Sequence, residues 1–283
     1  MSHILILLVI RHEEYLRECF GAVGGSGLIG RVVVDHFIAA GAKVSSLDIA
    51  YPSDAQAHAT QTNLVTIHCD VASEESIQQA FATAIQIYGP VEICIALASL
   101  DLSVLEPSSF ADASFAQLRR VLDVNVAGTW LTAREWIRGL RQAKRDSKPL
   151  NHPNLVIIGS ESGHFGERQN AEYSLGKSAV QGGLLMSLRA EVPRQWQGAR
   201  VNVVAPGPVQ TERWFEECKS NPDQYYFEAQ ATTALCEPVP VKAVAMSILA
   251  VASHNFSSHV HGQILNVDGG KQGKVVWTRD EVV

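Results

Sequence analysis

Cysteine is scarce in this chain, with five among 283 residues, at Cys19, Cys69, Cys94, Cys218 and Cys236. An odd, widely spaced set argues against a disulfide framework, and no metal-ligand spacing appears among them. Reduced, mostly buried thiols fit that usage, so a cytoplasmic location is expected. Excess positive charge is lacking too: 23 Lys and Arg stand against 29 Asp and Glu, a formal net charge of -6. That balance gives no electrostatic reason to expect nucleic acid or an anionic membrane as a partner. Long apolar runs are also missing. The run Ile4 to Ile10 has seven residues, whereas a spanning helix needs about 20. It has neither a basic leading region nor a small-residue cleavage site, so a secretory signal is not expected. Residues 1–16 leave three readings open: an extra strand, a helix on the body, or a partner-contacting arm. Solenoid-period repeats and low-complexity tracts are absent. What remains is ordinary globular composition, 46% hydrophobic and 18% charged, and a length that suits one large α/β domain over residues 17–283.

The organised part begins with a glycine-rich turn. Gly24, Gly25, Ser26, Gly27, Leu28, Ile29 and Gly30 contain Gly-x-Gly-x-x-Gly at 25, 27 and 30, followed at once by a helical pattern up to a stop at Gly41. Such a turn lets backbone approach a pyrophosphate and aims free helix N–H groups at its charge. A strand from Ala42 to Leu47 ends in Asp48, about 20 positions on, where an acceptor for ribose hydroxyls belongs. Asp48 would repel a 2′-phosphate and no nearby Lys or Arg would attract one, so NAD is expected over NADP. A second unit follows. A strand over 64–69 ends at Asp70 and Val71, and a helix capped by Ser73 stops at Gly89-Pro90. Val91 to Ala98 reads as a buried strand. A helix is expected from about Ser114 through Lys144, with Asn125 in its middle. Asparagine is a poor interior helix residue, which points to a kink or a polar partner there.

The chain is organised around Ser160 to Lys177. Leu155 to Gly159 is an apolar run that reads as a buried parallel strand ending at Ser160. Beyond it, Tyr173 and Lys177 lie four apart in a helical pattern, on one face and one turn from each other. A cation held there favours phenolate, so the phenol is expected to titrate below its ordinary value of about 10, toward neutrality. A phenol so tuned can trade protons with an alcohol or ketone, and Ser160 can hydrogen-bond the same substrate oxygen. Further strands are expected over 199–204 and 262–267, and a helix over Val241–Ala252. Between them, residues 212–238 read as irregular and rich in aromatics. That suits a lid over an apolar substrate, or equally ordinary packing or an oligomer contact.

The chain resembles the short-chain dehydrogenase/reductase family over roughly residues 17–272. The resemblance rests on the glycine loop, Asp48, Asp70-Val71, Asn125 in Asn-Val-Ala-Gly, Ser160, Tyr173-x-x-x-Lys177, Pro206-Gly207 with Thr211, and Val267-Asp268-Gly269-Gly270. It implies a doubly wound Rossmann fold, a mostly parallel seven-stranded sheet with helices on both faces. It also implies roles for residues: Tyr173 as general acid or base, and Lys177 lowering its pKa and holding the nicotinamide ribose. Ser160 would orient the carbonyl and Asn125 would hold a water. Asp70 and Val71 would lie at the adenine end, and Ala98, Pro206, Gly207, Val209 and Thr211 along the rest of the dinucleotide. Three departures bear on cofactor affinity more than on chemistry. Val23 stands where the family has Thr, Leu28 where its common frame has a glycine, and Ala96-Leu97-Ala98-Ser99 where it has Asn-Asn-Ala-Gly.

The expectation is therefore NAD-dependent interconversion of a secondary alcohol and a ketone on a bulky, largely apolar small molecule, in a biosynthetic setting. A homodimer or homotetramer would form through the helices of Asn125 and Tyr173. Two alternatives stand beside it: a non-redox epimerase, dehydratase or cyclase using the same residues, and a non-catalytic dinucleotide-binding protein.

Overall fold

The computed structural model describes residues 6–7, 20–23, 25–52, 58–61, 63–275, 277 and 279–282. Of the first sixteen residues, Ile6–Leu7 form a short strand, and the other fourteen lie outside the described residues, as do Cys19 and Gly24. The strands are β1 (Ile6–Leu7), β2 (Phe20–Val23), β3 (Val44–Asp48), β4 (His58–Gln61), β5 (Leu64–His68), β6 (Ile93–Ala96), β7 (Asn154–Ile158), β8 (Arg200–Pro206), β9 (Val209–Gln210), β10 (Val239–Pro240) and β11 (Ile264–Val267). The main sheet runs β11-β8-β7-β6-β2-β1-β3-β5-β4, and β9 pairs with β10 separately.

Among the described residues the sheet has nine strands, which corrects the expected seven. β2, β3, β5, β6, β7, β8 and β11 run parallel; β1 lies antiparallel to β2 and β3, and β4 antiparallel to β5. The additions escape sequence reading for a physical reason. β1 has two residues, too few to show a period, and β4 (His-Ala-Thr-Gln) has no apolar run to mark it. The central strands are legible because both their faces are covered. β7 and β8 are buried almost throughout, as expected where helices flank a parallel sheet on both sides.

Those helices are α1 (Leu28–Ala39), α2 (Glu74–Tyr88), α3 (Phe115–Val121), α4 (Thr129–Arg145), α5 (Ser162–Phe165), α6 (Ala171–Ser178), α7 (Leu185–Gln195), α8 (Glu212–Ser220), α9 (Pro222–Gln224), α10 (Val241–Ala252) and α11 (His254–Ser257). α3 and α4 are one rod, joined by a π-helical stretch at Leu122–Gly128, and α6 and α7 are joined in the same way at Ala179–Leu184. α1 packs on α10, and α2 on α4. At the amino edge of the sheet the Arg200 guanidinium donates to the carbonyls of Val251, Ala252, Ser257 and Val260. It supplies a cation and donors to a helix C-terminus that would otherwise leave carbonyls unsatisfied. The carboxyl edge, where β2, β6, β7 and β8 end side by side, is left for chemistry.

Candidate active site

The glycine loop occupies the crevice where the winding reverses. Gly27 caps α1 in extended conformation, with no side-chain hydrogen bond and no acidic residue in the first turn. The leading N–H groups of α1 thus face the loop with no carboxylate from their own first turn, the arrangement that receives an anion. Leu28 is the first residue of α1, so the turn is made by 25–27 and the absent glycine at 28 is not needed for it. Asp48, at the end of β3, is fully buried. Its carboxylate accepts from the Ser26 N–H at 2.9 Å and the Ala50 N–H at 2.9 Å. Sequence reading placed Asp48 toward a ribose and missed that it also ties the glycine turn to the sheet.

Asp70 closes its own turn, accepting from the Ala72 N–H at 2.9 Å, and passes the chain to Ser73, which caps α2. Val71 is buried against Gly128 of the α3–α4 rod. A β-carbon at Gly128 would come within 2.8 Å of Val71 Cβ and 3.3 Å of its carbonyl oxygen. Gly128→Ala is expected to destabilise by about 1–3 kcal/mol through overpacking and to weaken dinucleotide binding as Val71 shifts. Thermal melts with an NADH titration check this, and an unchanged melt would show that the contact relaxes freely.

Asn125 sits in the π-helical stretch, a local widening found frequently at functional sites. The sequence predicted a kink or a polar partner, and the structure shows the polar partner. Asn125 Oδ1 accepts from the Leu100 N–H at 2.7 Å and its Nδ2 donates to the Leu100 carbonyl at 3.0 Å. This pair braces the chain just after β6, where Ala98 is buried and Ser99 Oγ also donates to the Leu100 carbonyl.

Ser160, Tyr173 and Lys177 are brought together at the end of β7, all three buried. The Ser160 hydroxyl is near enough to the Tyr173 phenol to lower its pKa and accepts from the Ser162 N–H at 3.2 Å. Lys177 Nζ donates to the Ile158 carbonyl at 3.2 Å and lies 5.7 Å from the centre of the Tyr173 ring. The expected fall of the tyrosine pKa does not hold for the protein alone. Burial raises it, as do the carboxylates of Asp101, Glu167 and Glu161, against the lowering effect of the Ser160 hydroxyl. Burial also lowers the Lys177 ammonium to about 8. Desolvation penalises both charged forms at once, and helical spacing does not report it.

Pro206 and Gly207 end β8 against the Asp268 turn. A β-carbon at Gly207 would lie 2.8 Å from Asp268 Cα. Val209 pairs with Val239 in the small sheet, and Thr211 Oγ1 accepts from the Trp214 N–H at 3.1 Å, capping α8. Residues 212–230 are therefore helical, not irregular: α8, α9 and a π-helical turn at Tyr225–Gln230. Trp214, Cys218 and Ala229 form their own small core, with Tyr225 packed on it. The segment is fastened on both sides. Arg213 donates to Ser103 at 2.6 Å, beyond β6. From the C-terminal side, Lys271 pairs with Glu161 at 3.2 Å and donates to the Glu228 carbonyl at 3.0 Å. Burial holds the Glu161 carboxyl up at about 7. None of Glu161, Lys271 or Asp101 was marked by a motif. Nor was Gln181, a buried amide whose Oε1 accepts from the Ser160 N–H at 3.0 Å. Its only sequence signal is its place four residues after Lys177.

A parallel, doubly wound sheet with a glycine turn at its switch point and a Ser–Tyr–Lys cluster at its carboxyl edge defines a dinucleotide-dependent oxidoreductase class. A family model described as enoyl-(acyl carrier protein) reductase matches residues 21–272. The chain is 28% identical over 250 residues to 2,5-dichloro-2,5-cyclohexadiene-1,4-diol dehydrogenase of Sphingobium indicum, covering 87% of this chain and 93% of that protein. It is 26% identical over 256 residues to glucose 1-dehydrogenase 2 of Bacillus subtilis, covering 87% and 92%. The solved structure of ElxO with NADP bound superposes with a TM-score of 0.74 at 19% identity, covering 87% of this chain and 95% of that one. The protein belongs to the short-chain dehydrogenase/reductase family. Members of the family oxidise CH–OH groups or reduce ketones with a nicotinamide dinucleotide. Among the described residues, no helix is long and apolar enough to cross a membrane.

Proposed function

We propose that the protein is an NAD-preferring dehydrogenase/reductase that interconverts a secondary alcohol and a ketone on an uncharged, cyclic small molecule. The observation that carries this reading is the joining of Ser160, Tyr173 and Lys177 at the carboxyl edge beside the glycine turn held by Asp48. The residues present fit a dinucleotide. Free N–H groups lead α1, buried Asp48 stands at the β3 end, and Lys177 is the buried cation beside the phenol. When bound, the nicotinamide supplies or accepts the hydride. The protein does the rest. Tyr173 gives its proton to the substrate oxygen on reduction and takes it back on oxidation. Ser160 Oγ–H stabilises the phenolate and orients the carbonyl. Lys177 supplies positive charge in a site too dry to supply it by hydration. Asn125 braces the chain after β6 through both its side-chain atoms on Leu100, and its second amide N–H is left to hold a water.

Two observations bear on the substrate. Asp101, Glu161 and Glu167 all raise the pKa of Tyr173, and the same field disfavours an anionic substrate at that oxygen. A cyclic diol dehydrogenase and a sugar dehydrogenase among the relatives suit an uncharged ring. The helical 212–230 segment acts as the lid, and a biosynthetic or catabolic setting follows from the substrate. Exposed Phe115 and Trp130 on the Asn125 rod, with Leu175 and Met186 on the Tyr173 rod, favour a homodimer or homotetramer through those rods, which sedimentation checks.

Titration of NADH and NADPH against the purified protein, followed by a screen of cyclic alcohols and ketones, tests the reading. Asp48→Asn is expected to reduce the NADH-over-NADPH preference about tenfold, the worth of one charged hydrogen bond. Tighter binding of NADPH by the wild type would overturn the NAD assignment. Substrate turnover with unchanged nicotinamide absorbance would favour non-redox chemistry.

A further inference from the structure

The helix face bearing Tyr173 and Lys177 continues for one more turn to Gln181, in the π-helical stretch Ala179–Leu184. Gln181 is 2% exposed. Its Nε2 is buried with no hydrogen-bond partner, a penalty that an apolar side chain of the same size would not carry. The amide's contribution therefore lies in its oxygen. That oxygen meets a particular need at the end of β7. The N–H groups of Gly159 and Glu161 are taken by β8, on the carbonyls of Val204 and Pro206 at 2.8 and 2.9 Å. The Ile158 carbonyl and the Ser160 N–H, which flank Gly159, face the helix. The Ile158 carbonyl accepts from Lys177 Nζ at 3.2 Å, and the Ser160 N–H donates to Gln181 Oε1 at 3.0 Å. Two side chains one turn apart thus clamp the strand end, one on each side of Gly159.

The slot for the amide is made by two glycines. A β-carbon at Gly159 would fall 2.4 Å from Gln181 Oε1, and one at Gly163 would fall 2.5 Å from its Cδ and Nε2. Resting on the Ser–Tyr–Lys reading above, we propose that Gln181 is a positioning residue for the reaction. Its amide oxygen holds the Ser160 backbone so that the Ser160 hydroxyl stays on the Tyr173 oxygen. Gln181 touches no reacting atom and acts through Ser160. It also explains why residues 159 and 163 are glycine, at positions with no positive φ to demand one.

The test uses two variants that disturb the clamp differently. Gln181→Met keeps the side-chain size and removes the acceptor. Gly163→Ala leaves Gln181 in place chemically and pushes its amide away. The atom it displaces is the end of a flexible side chain, and alanine suits a helix better than glycine, so this variant should fold. With saturating NAD+ bound, the Tyr173 titration is followed by NMR of protein labelled with [13Cζ]tyrosine, the resonance being assigned with Tyr173→Phe. Both variants are expected to move that titration upward while still binding NAD+. With an alcohol oxidised by the wild type, kcat should fall about 10- to 100-fold with KM little changed, as for a misplaced reacting group. Gln181→Glu, which restores an acceptor, should recover protection of the Ser160 amide from exchange. An unmoved Tyr173 titration in variants that bind NAD+ would overturn the role of Gln181 alone, since a structural glutamine would change only the melting temperature. Failure of the wild type to bind either NAD+ or NADP+ would instead overturn the oxidoreductase reading, and this role with it.

Discussion

Tyr173→Phe is expected to lower turnover by about 100- to 10,000-fold, the usual contribution of a positioned general acid or base, while leaving dinucleotide binding and folding close to wild type. The reason is local. The ring is buried and keeps its packing in the variant, so only the hydroxyl beside Ser160 is lost. No other described side chain is placed to replace it. Lys177 is turned toward the Ile158 carbonyl at 3.2 Å, and Ser160 has too high a pKa to deliver a proton unaided. In the wild type, oxidation should accelerate as pH rises, because the phenol must lose its proton to act as base and burial holds that proton on. The variant should show no such rise. Initial rates in both directions across pH check this, and turnover within tenfold of wild type would remove Tyr173 from the proton path.

Asn125→Ala carries the largest expected loss of stability. It takes an acceptor from the Leu100 N–H and a donor from the Leu100 carbonyl, at a residue only 2% exposed. The carbonyl retains Ser99 Oγ at 3.1 Å, but the N–H is left buried without a partner. A buried orphan costs about 1–3 kcal/mol, and the small cavity adds to it, for about 2–4 kcal/mol in total. Thr129→Val removes only the hydroxyl bond to the Asn125 carbonyl at 2.8 Å and should cost about 1 kcal/mol. Urea unfolding at constant m-value separates the two. Equal losses would mean that the brace to Leu100 contributes nothing special. Activity should fall with Asn125→Ala as well, since the chain after β6 borders the crevice in which Tyr173 lies.

The comparison between chain and structure divides along a physical line. Local rules decided much of this protein. Largely apolar, Val- and Ile-rich runs marked β7 and β8 as strands, Ser73 marked the start of α2, and Gly-x-Gly-x-x-Gly with a helix behind it marked the turn at the switch point. The single misplaced asparagine announced its polar partner, because a poor interior residue needs a reason to be inside a helix. Ser160, Tyr173 and Lys177 were legible as a set because strand end and helix face are properties of a few adjacent residues. Residues 212–230 were misread for the opposite reason. Their helices are held by a Thr211 cap and by a small core of Trp214, Cys218 and Ala229 that only packing assembles. Tertiary structure alone decided the electrostatics. Helical spacing predicted a lowered tyrosine, but burial and three carboxylates from separate segments raise it. Tertiary structure alone also gave Asp48 its second task on Ser26 and put the Gln181 amide between two glycines. In each case the partner lies more than fifteen residues away along the chain or depends on how much water the fold excludes, and neither quantity is written in a local pattern.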